Sequence, residues 1–310
     1  MKKRILLPLL SIFVLLIIVA LYIFKIPFGD IGKLEKQYVK VELTKDKKSP
    51  VEYSIVEKMP KGWVQLKDIS PHAVKAIMLS EDWFFYGHDG VDLSQVKEAA
   101  LDGIKGEKLR GASTISQQVT KNLFLSNDRT VQRKFRELLI TLYLEKKVSK
   151  DKILEIYLNI IQYGKSLYGI KAASKKYFKK SPKNLNAYEG AFLAMLLPSP
   201  VRYGQSYKDR KLTKFAKETM DNIIDKMVLA KVLTKEEGAR EKKRRLSFTR
   251  SKSKVKGLGN MQKIKSHDDG RNWEKRYEYD PDLAVKEDFK YDPDAINEDD
   301  LNVKEEFTVE

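Results

Sequence analysis

The sequence predicts a mainly α-helical protein, and three features carry that prediction. Between residues 70 and 245 the apolar positions recur three and four apart, the spacing of a helix with one buried face. Residues that cap helix N-termini stand ahead of those runs, and the alternation that marks strands is confined to two short stretches at 39–43 and 51–56. The 310 residues suffice for a full core; the absence of cysteine excludes disulfides and thiolate metal sites, and three scattered histidines (His72, His88, His267) argue against a multi-histidine metal centre.

Lys2, Lys3 and Arg4 give residues 1–4 a basic character, expected to face the cytoplasm, and an uncharged apolar run follows over 5–24. As a helix that run would reach roughly 30 Å, the thickness of a hydrocarbon core. It reads as a single-pass transmembrane anchor in the cell membrane that leaves the rest of the chain extracellular. A cleaved signal peptide is the alternative; its apolar core is usually shorter, and no small-x-small cleavage site precedes Lys25. Residues 25–64 read as a juxtamembrane stalk in which Val39–Leu43 and Val51–Val56 pair across a Lys-rich turn.

The body is expected over residues 65–246. Ser70 and Pro71 read as N-cap and first position of a helix that buries Ala73, Val74, Ile77 and Met78 and ends at Glu81 and Asp82. Residues 93–110 form an amphipathic segment, suited either to a bilayer surface or to an ordinary surface helix. A helix from Ser113 would align Thr114, Gln117, Gln118 and Lys121 on one polar stripe and send Ile115, Val119 and Leu123 inward. Such a stripe either lines a sugar-phosphate groove or is simply solvated. Phe135, Leu138, Leu139 and Leu142 mark the next helix, with Glu137 on its flank; Ser149 caps another, Asn186 and Glu189 form a capping box, and Thr213–Leu229 and Thr234–Arg245 close the series. From 247 the periodicity stops, and from 267 the tail carries 16 acidic against 6 basic residues, so 247–310 is expected to be disordered. The remaining chain holds 54 basic against 27 acidic residues, which dominates the overall charge of +17. An outward-facing cationic body suits anionic head groups and diphosphates rather than nucleic acid.

Glu81-Asp-Trp-Phe-Phe-Tyr-Gly-His-Asp-Gly-Val-Asp92 sets two adjacent carboxylates among aromatics at a helix C-terminus. Trp83, Phe84, Phe85 and Tyr86 could desolvate Glu81, and the helix dipole there disfavours negative charge, so both effects would raise its pKa toward a working base. The plainer reading is a solvated helix end with a core phenylalanine and a backbone-bonded His88.

Four further stretches follow that one: Gly111-Ala-Ser-Thr-Ile-Ser-Gln-Gln-Val-Thr-Lys-Asn122; Arg133-Lys-Phe-Arg-Glu137 continuing through Ile153-Leu-Glu-Ile-Tyr-Leu-Asn159 to Gly164; Gly169-Ile-Lys-Ala-Ala-Ser-Lys-Lys-Tyr-Phe178; and Glu189-Gly-Ala-Phe-Leu-Ala194 through Pro200 to Tyr203. In this order the five resemble the peptidoglycan glycosyltransferases of family 51, the short monofunctional members in particular. Two positions depart from the pattern: Lys179 stands where Gly often follows the Tyr-Phe pair, and no Pro follows Tyr203 by two residues. Ser251-Lys-Ser-Lys254 matches the Ser-x-x-Lys of transpeptidases, but no Lys-Thr-Gly follows it.

The resemblance implies a lysozyme-like helical domain that polymerises lipid II into β-1,4 glycan strands, with undecaprenyl diphosphate released. It implies Glu81 as general base and Glu137 as the second glutamate, near the donor diphosphate either through a divalent cation (Mg or Mn) or by holding basic residues. Asp82 would orient neighbouring groups; Lys121, Arg129 and Arg133 would neutralise the diphosphate; Ser113, Thr114, Gln117, Gln118 and Asn122 would line the groove; Phe85 and His88 would shape the pocket. Glu137 is the best metal-ligand candidate, and no nucleotide is implied. Expected partners are lipid II, the growing glycan chain, membrane lipids and other cell-wall synthesis proteins.

Overall fold

The computed structural model describes residues 26–45, 51–92, 113–126, 128 and 130–249. The expected basic end and anchor (1–24), the amphipathic segment 93–110, Arg129 and the acidic tail lie outside the described residues. Among the described residues no helix is long and apolar enough to cross a membrane.

The protein is mainly helical, and its elements run α1 (Phe28–Lys33), β1 (Tyr38–Leu43), β2 (Val51–Val56), α2 (Pro71–Glu81), α3 (Ile115–Phe124), α4 (Val131–Lys147), α5 (Lys150–Ile160), β3 (Gln162–Gly164), β4 (Leu167–Tyr168), α6 (Ile170–Phe178), α7 (Ala187–Leu196), α8 (Pro200–Tyr203), α9 (Gln205–Lys208), α10 (Lys214–Leu229) and α11 (Lys235–Lys242). Helix α7 is the hub. Its sequence is apolar nearly all round, so it has no face to offer water, and every one of its residues is buried. Gly190 lets α2 come close: a Cβ at this position would stand 2.7 Å from the Cα of Ala73. Helix α10 packs across both α2 and α7, burying Met220, Ile223, Ile224 and Met227.

A second group of helices, α3, α4 and α5, packs beside the first, with α3 in contact with both others. The two groups meet at the C-terminus of α2, where Glu81 and Asp82 reach across to α3 and α5. Caps fix the ends that matter. Thr114 with Gln117, Asn186 with Glu189, and Thr234 with Glu237 form reciprocal capping boxes, while Thr130 and Thr213 cap α4 and α10 through their hydroxyls.

The expected pairing of the two short strands is present: β1 and β2 run antiparallel from Tyr38↔Val56 to Leu43↔Val51, and Ile31, Leu34, Val39 and Trp63 sit in the common core. Apolar residues at those positions find more to bury in the body than in each other. Ser149 does not cap α5 with its side chain; its N–H and hydroxyl both go to Glu35, tying the N-terminal segment down. The body also extends past 246, because Phe248 is buried between Phe178, Phe192 and Tyr207.

Candidate active site

Glu81 is the last residue of α2, and its carboxylate is held by neutral donors. Gln118 Nε2 donates to its Oε2 at 2.9 Å and the Tyr157 hydroxyl to the same oxygen at 3.2 Å. Among the described residues nothing bonds Oε1. The residue is half-buried. Burial raises the Glu81 pKa; the hydrogen bonds from Gln118 and Tyr157 and the charge of Lys226 oppose that rise, and the Asp82 charge adds to it. The wall differs from the one the sequence implies. Phe84 and Tyr86 are 53% and 40% exposed and Phe85 is wholly buried beneath them, so the dry surroundings come from Tyr157 and Tyr163, both fully buried.

Asp82 is the joint between the two helix groups. One carboxylate oxygen accepts the N–H of Ile115, the first residue of α3, at 2.9 Å, where the helix N-terminus favours a negative charge. The other accepts from His88 Nε2 at 3.0 Å. Because His88 Nδ1 takes the Gly90 N–H at 3.0 Å, the ring proton of neutral His88 belongs on Nε2, pointing at Asp82. Phe85 packs edge-on to the His88 ring and lies under the Lys150 ammonium at 4.5 Å. Phe85 and His88 therefore support the loop that carries the acids, rather than face a cleft.

The polar stripe on α3 is narrower than the spacing implies. Thr114 and Gln117 are buried in the capping box, with the Thr114 hydroxyl donating to Gly90 O at 2.7 Å and Gln117 Oε1 accepting the Thr114 N–H at 3.1 Å. A capping box reads in sequence like a polar stripe because the same two positions serve both. Ser113 is exposed just ahead of the cap; Gln118 and Asn122 are half-buried and Lys121 exposed. Lys121 and Asn122 sit about one turn beyond Gln118, hence roughly 5 Å further along the helix from Glu81.

Glu137 lies on α4, against α3, and is 2% exposed. Arg133 Nη1 holds its Oε2 at 2.8 Å and the Lys134 ammonium takes Oε1. Both oxygens are committed to cations, and no group of three or more His, Cys, Asp or Glu able to hold a metal occurs among the described residues. That donor set does not fit a divalent cation; it fits the other reading, in which Glu137 fixes basic side chains in place.

Sequence reasoning missed Tyr157, Tyr163 and Lys226. Tyr157 reads as an apolar member of a buried run and Tyr163 as part of the helix end, although a phenol in a core usually finds a hydrogen-bond partner. Tyr157 finds Glu81, and its hydroxyl is also 3.3 Å from Gln118 Oε1.

The domain is mostly helical and holds one carboxylate with a raised pKa where α2 meets α3 and α5, beside a helix bearing polar and cationic side chains. The chain matches the transglycosylase family model over residues 48–228, more than half its length, and belongs to that family. It is 42% identical over 143 residues to a biosynthetic peptidoglycan transglycosylase of Bdellovibrio bacteriovorus, covering 46% of this chain and 57% of that one. It is 47% identical over 141 residues to a protein of the same description from Shewanella oneidensis, covering 46% and 60%. Penicillin-binding protein 2D of Bacillus subtilis is 42% identical over 187 residues, covering 60% of this chain and 26% of that protein. The chain thus spans less than two thirds of each of these relatives.

Proposed function

We propose that this chain is a peptidoglycan glycosyltransferase that joins lipid II units into β-1,4 glycan. One observation carries the reading: Glu81 is positioned by uncharged donors, its Oε1 unbonded among the described residues, beside helix α3, which carries Lys121 and packs against α4, the helix of the Arg133–Glu137 pair. The acceptor 4-hydroxyl gives its proton to Glu81 Oε1 as its oxygen attacks the donor anomeric carbon. The bond from that carbon to the diphosphate breaks on the opposite face, inverting α to β. Lys121, Arg133 and Arg129 receive the negative charge that develops on the leaving undecaprenyl diphosphate. Family membership, the relatives' description as biosynthetic transglycosylases and the cationic body support this assignment. The apolar run at 5–24 would hold the domain at the outer membrane surface, where the substrate's lipid lies.

Incubating detergent-solubilised full-length chain with labelled lipid II and resolving the products on a gel tests the proposal. Polymer from the wild type, with a loss of about 10³-fold in Glu81→Gln, is the expected outcome. Shortened strands from preformed glycan without any polymer would make it a hydrolase instead.

A further inference from the structure

Phe84 is more than half exposed and yet fixed in place. It stands just ahead of a single 3-10 turn, Phe85–Gly87, closed by the Gly87 N–H donating to Phe84 O at 2.9 Å. In such a turn residues i and i+3 eclipse, so a side chain at 87 would stand directly on that of 84. Gly87 offers no side chain there, and the Phe84 ring occupies the place: a Cβ at 87 would run into Cζ, Cε1 and Cε2 of that ring. Those three atoms are nearly equidistant from the point, which puts it over the ring's face rather than beyond its rim. One face therefore lies on the Gly87 backbone and the other is turned outward. Among the described residues the ring meets no second aromatic and no cation, unlike Tyr86 close by, which packs edge-on to Phe85 and lies under the Lys75 ammonium at 5.6 Å.

We propose that this outward face is a stacking platform for the saccharide of the growing glycan strand. The proposal rests on the reading of the chain as a peptidoglycan glycosyltransferase and adds a binding contact to it. Phe84 follows Glu81 by three residues, which keeps the two Cα atoms within about 11 Å, so one strand can meet both. The face of an aromatic ring is electron-rich and takes the partly positive C–H groups on one side of a pyranose, leaving its hydroxyls for water and polar neighbours. The borders suit that occupant: Asp89 is exposed, and the exposed Asp151 accepts the Tyr86 hydroxyl at 2.8 Å. Carboxylates accept sugar hydroxyls but repel the anionic head groups of a bilayer, the other surface on which an exposed phenylalanine could rest. A ring already seated on Gly87 also loses little rotamer freedom when a sugar covers it.

Saturation-transfer NMR of the full chain in detergent, with a soluble β-1,4-linked N-acetylglucosamine tetramer as probe, tests this on wild type, Phe84→Tyr, Phe84→Leu and Gly87→Ala. Wild type and Phe84→Tyr should bind alike, with the strongest transfer to the axial protons of the sugar ring. Phe84→Leu keeps an apolar side chain without a ring, and Gly87→Ala keeps the ring but lifts it off its seat; each should weaken binding about three- to tenfold. Both positions are exposed, so melting temperatures should hold. No transfer from wild type, Leu binding as well as Phe, or Gly87→Ala binding as well as wild type would each overturn the proposal. So would a loss confined to phosphatidylglycerol vesicles, with tetramer binding intact. The tetramer is bound without turnover, which separates the two readings. Phe84-dependent binding by a chain that makes no polymer would sink the functional assignment alone, and polymer from a chain whose tetramer affinity ignores Phe84 would sink the platform alone.

Discussion

Two glutamates lie against helix α3 and are held in opposite ways. Glu81 receives neutral donors on one oxygen, keeps the other unbonded among the described residues, and stays partly open to solvent. Glu137 is sealed, and each of its oxygens meets a cation. Neutral donors orient a carboxylate without cancelling its charge, so it can still take a proton; cations satisfy it and leave it structural. The same residue type is left able to take a proton at one site and anchors positive side chains at the other. What separates them is the identity of their neighbours.

The contrast can be broken at Glu137 first, where the largest effect on stability is expected. Glu137→Ala leaves Arg133 and Lys134 facing an apolar gap and should cost about 3 kcal/mol, with the Lys134 share the smaller because that side chain is half exposed. Urea unfolding at neutral pH measures the loss. A variant as stable as wild type would show that the cluster behaves like a surface ion pair.

At Glu81 the same experiment should run the other way. A carboxyl whose pKa is raised on folding binds its proton more tightly folded than unfolded. Ionising it therefore costs the folded state stability as pH climbs from the unfolded value, near 4.5, through the raised folded one. Glu81→Gln removes that cost. The variant should match wild type below the unfolded pKa and exceed it above the folded one, by about 1.4 kcal/mol for each pH unit separating the two. Denaturation curves taken across the acid range check the sign, and a variant less stable than wild type at neutral pH would mean that Glu81 is held as firmly as Glu137.

Much of this was legible in the sequence and some was not, for reasons of geometry. Periodicity located the helices because each buries one stripe, and the capping boxes at Asn186 and Thr234 were readable because their partners lie three residues apart. The carboxylates at 81 and 82 and the helix bearing Gln118 were both visible. The polar stripe on α3 reads as a groove lining or a solvated face, whereas Thr114 and Gln117 are buried in a capping box, which only burial reveals. The wall around Glu81 could not be read at all. Tyr157, Tyr163 and Lys226 come from 76 to 145 positions away, and nothing in a linear pattern says that α5, β3 and α10 converge there. The N-terminal hairpin was legible because its strands pair locally, but its packing against α5 and α3 was not, because those helices lie far along the chain.

The smallest expected effect lies away from both glutamates and separates stability from function. Lys179 follows α6 in the left-handed region, at φ 60° and ψ 30°, with its N–H returned to Lys175 O. That conformation ends a helix well but brings Cβ against the carbonyl oxygen, a strain glycine lacks. The family's habit of placing Gly here thus has a physical cause, and this chain carries the strain instead. Lys179→Gly should stabilise the protein by about 0.5–1 kcal/mol, the relief of strain exceeding the extra freedom glycine gives the unfolded chain. Lys179→Ala, which retains Cβ, should gain nothing. The side chain is exposed and follows α6 rather than the helices that carry Glu81, Gln118 and Arg133, so the proposed polymerisation should be unchanged in both variants. Equal melting temperatures for the Gly and Ala variants would show that backbone conformation is not what this position selects.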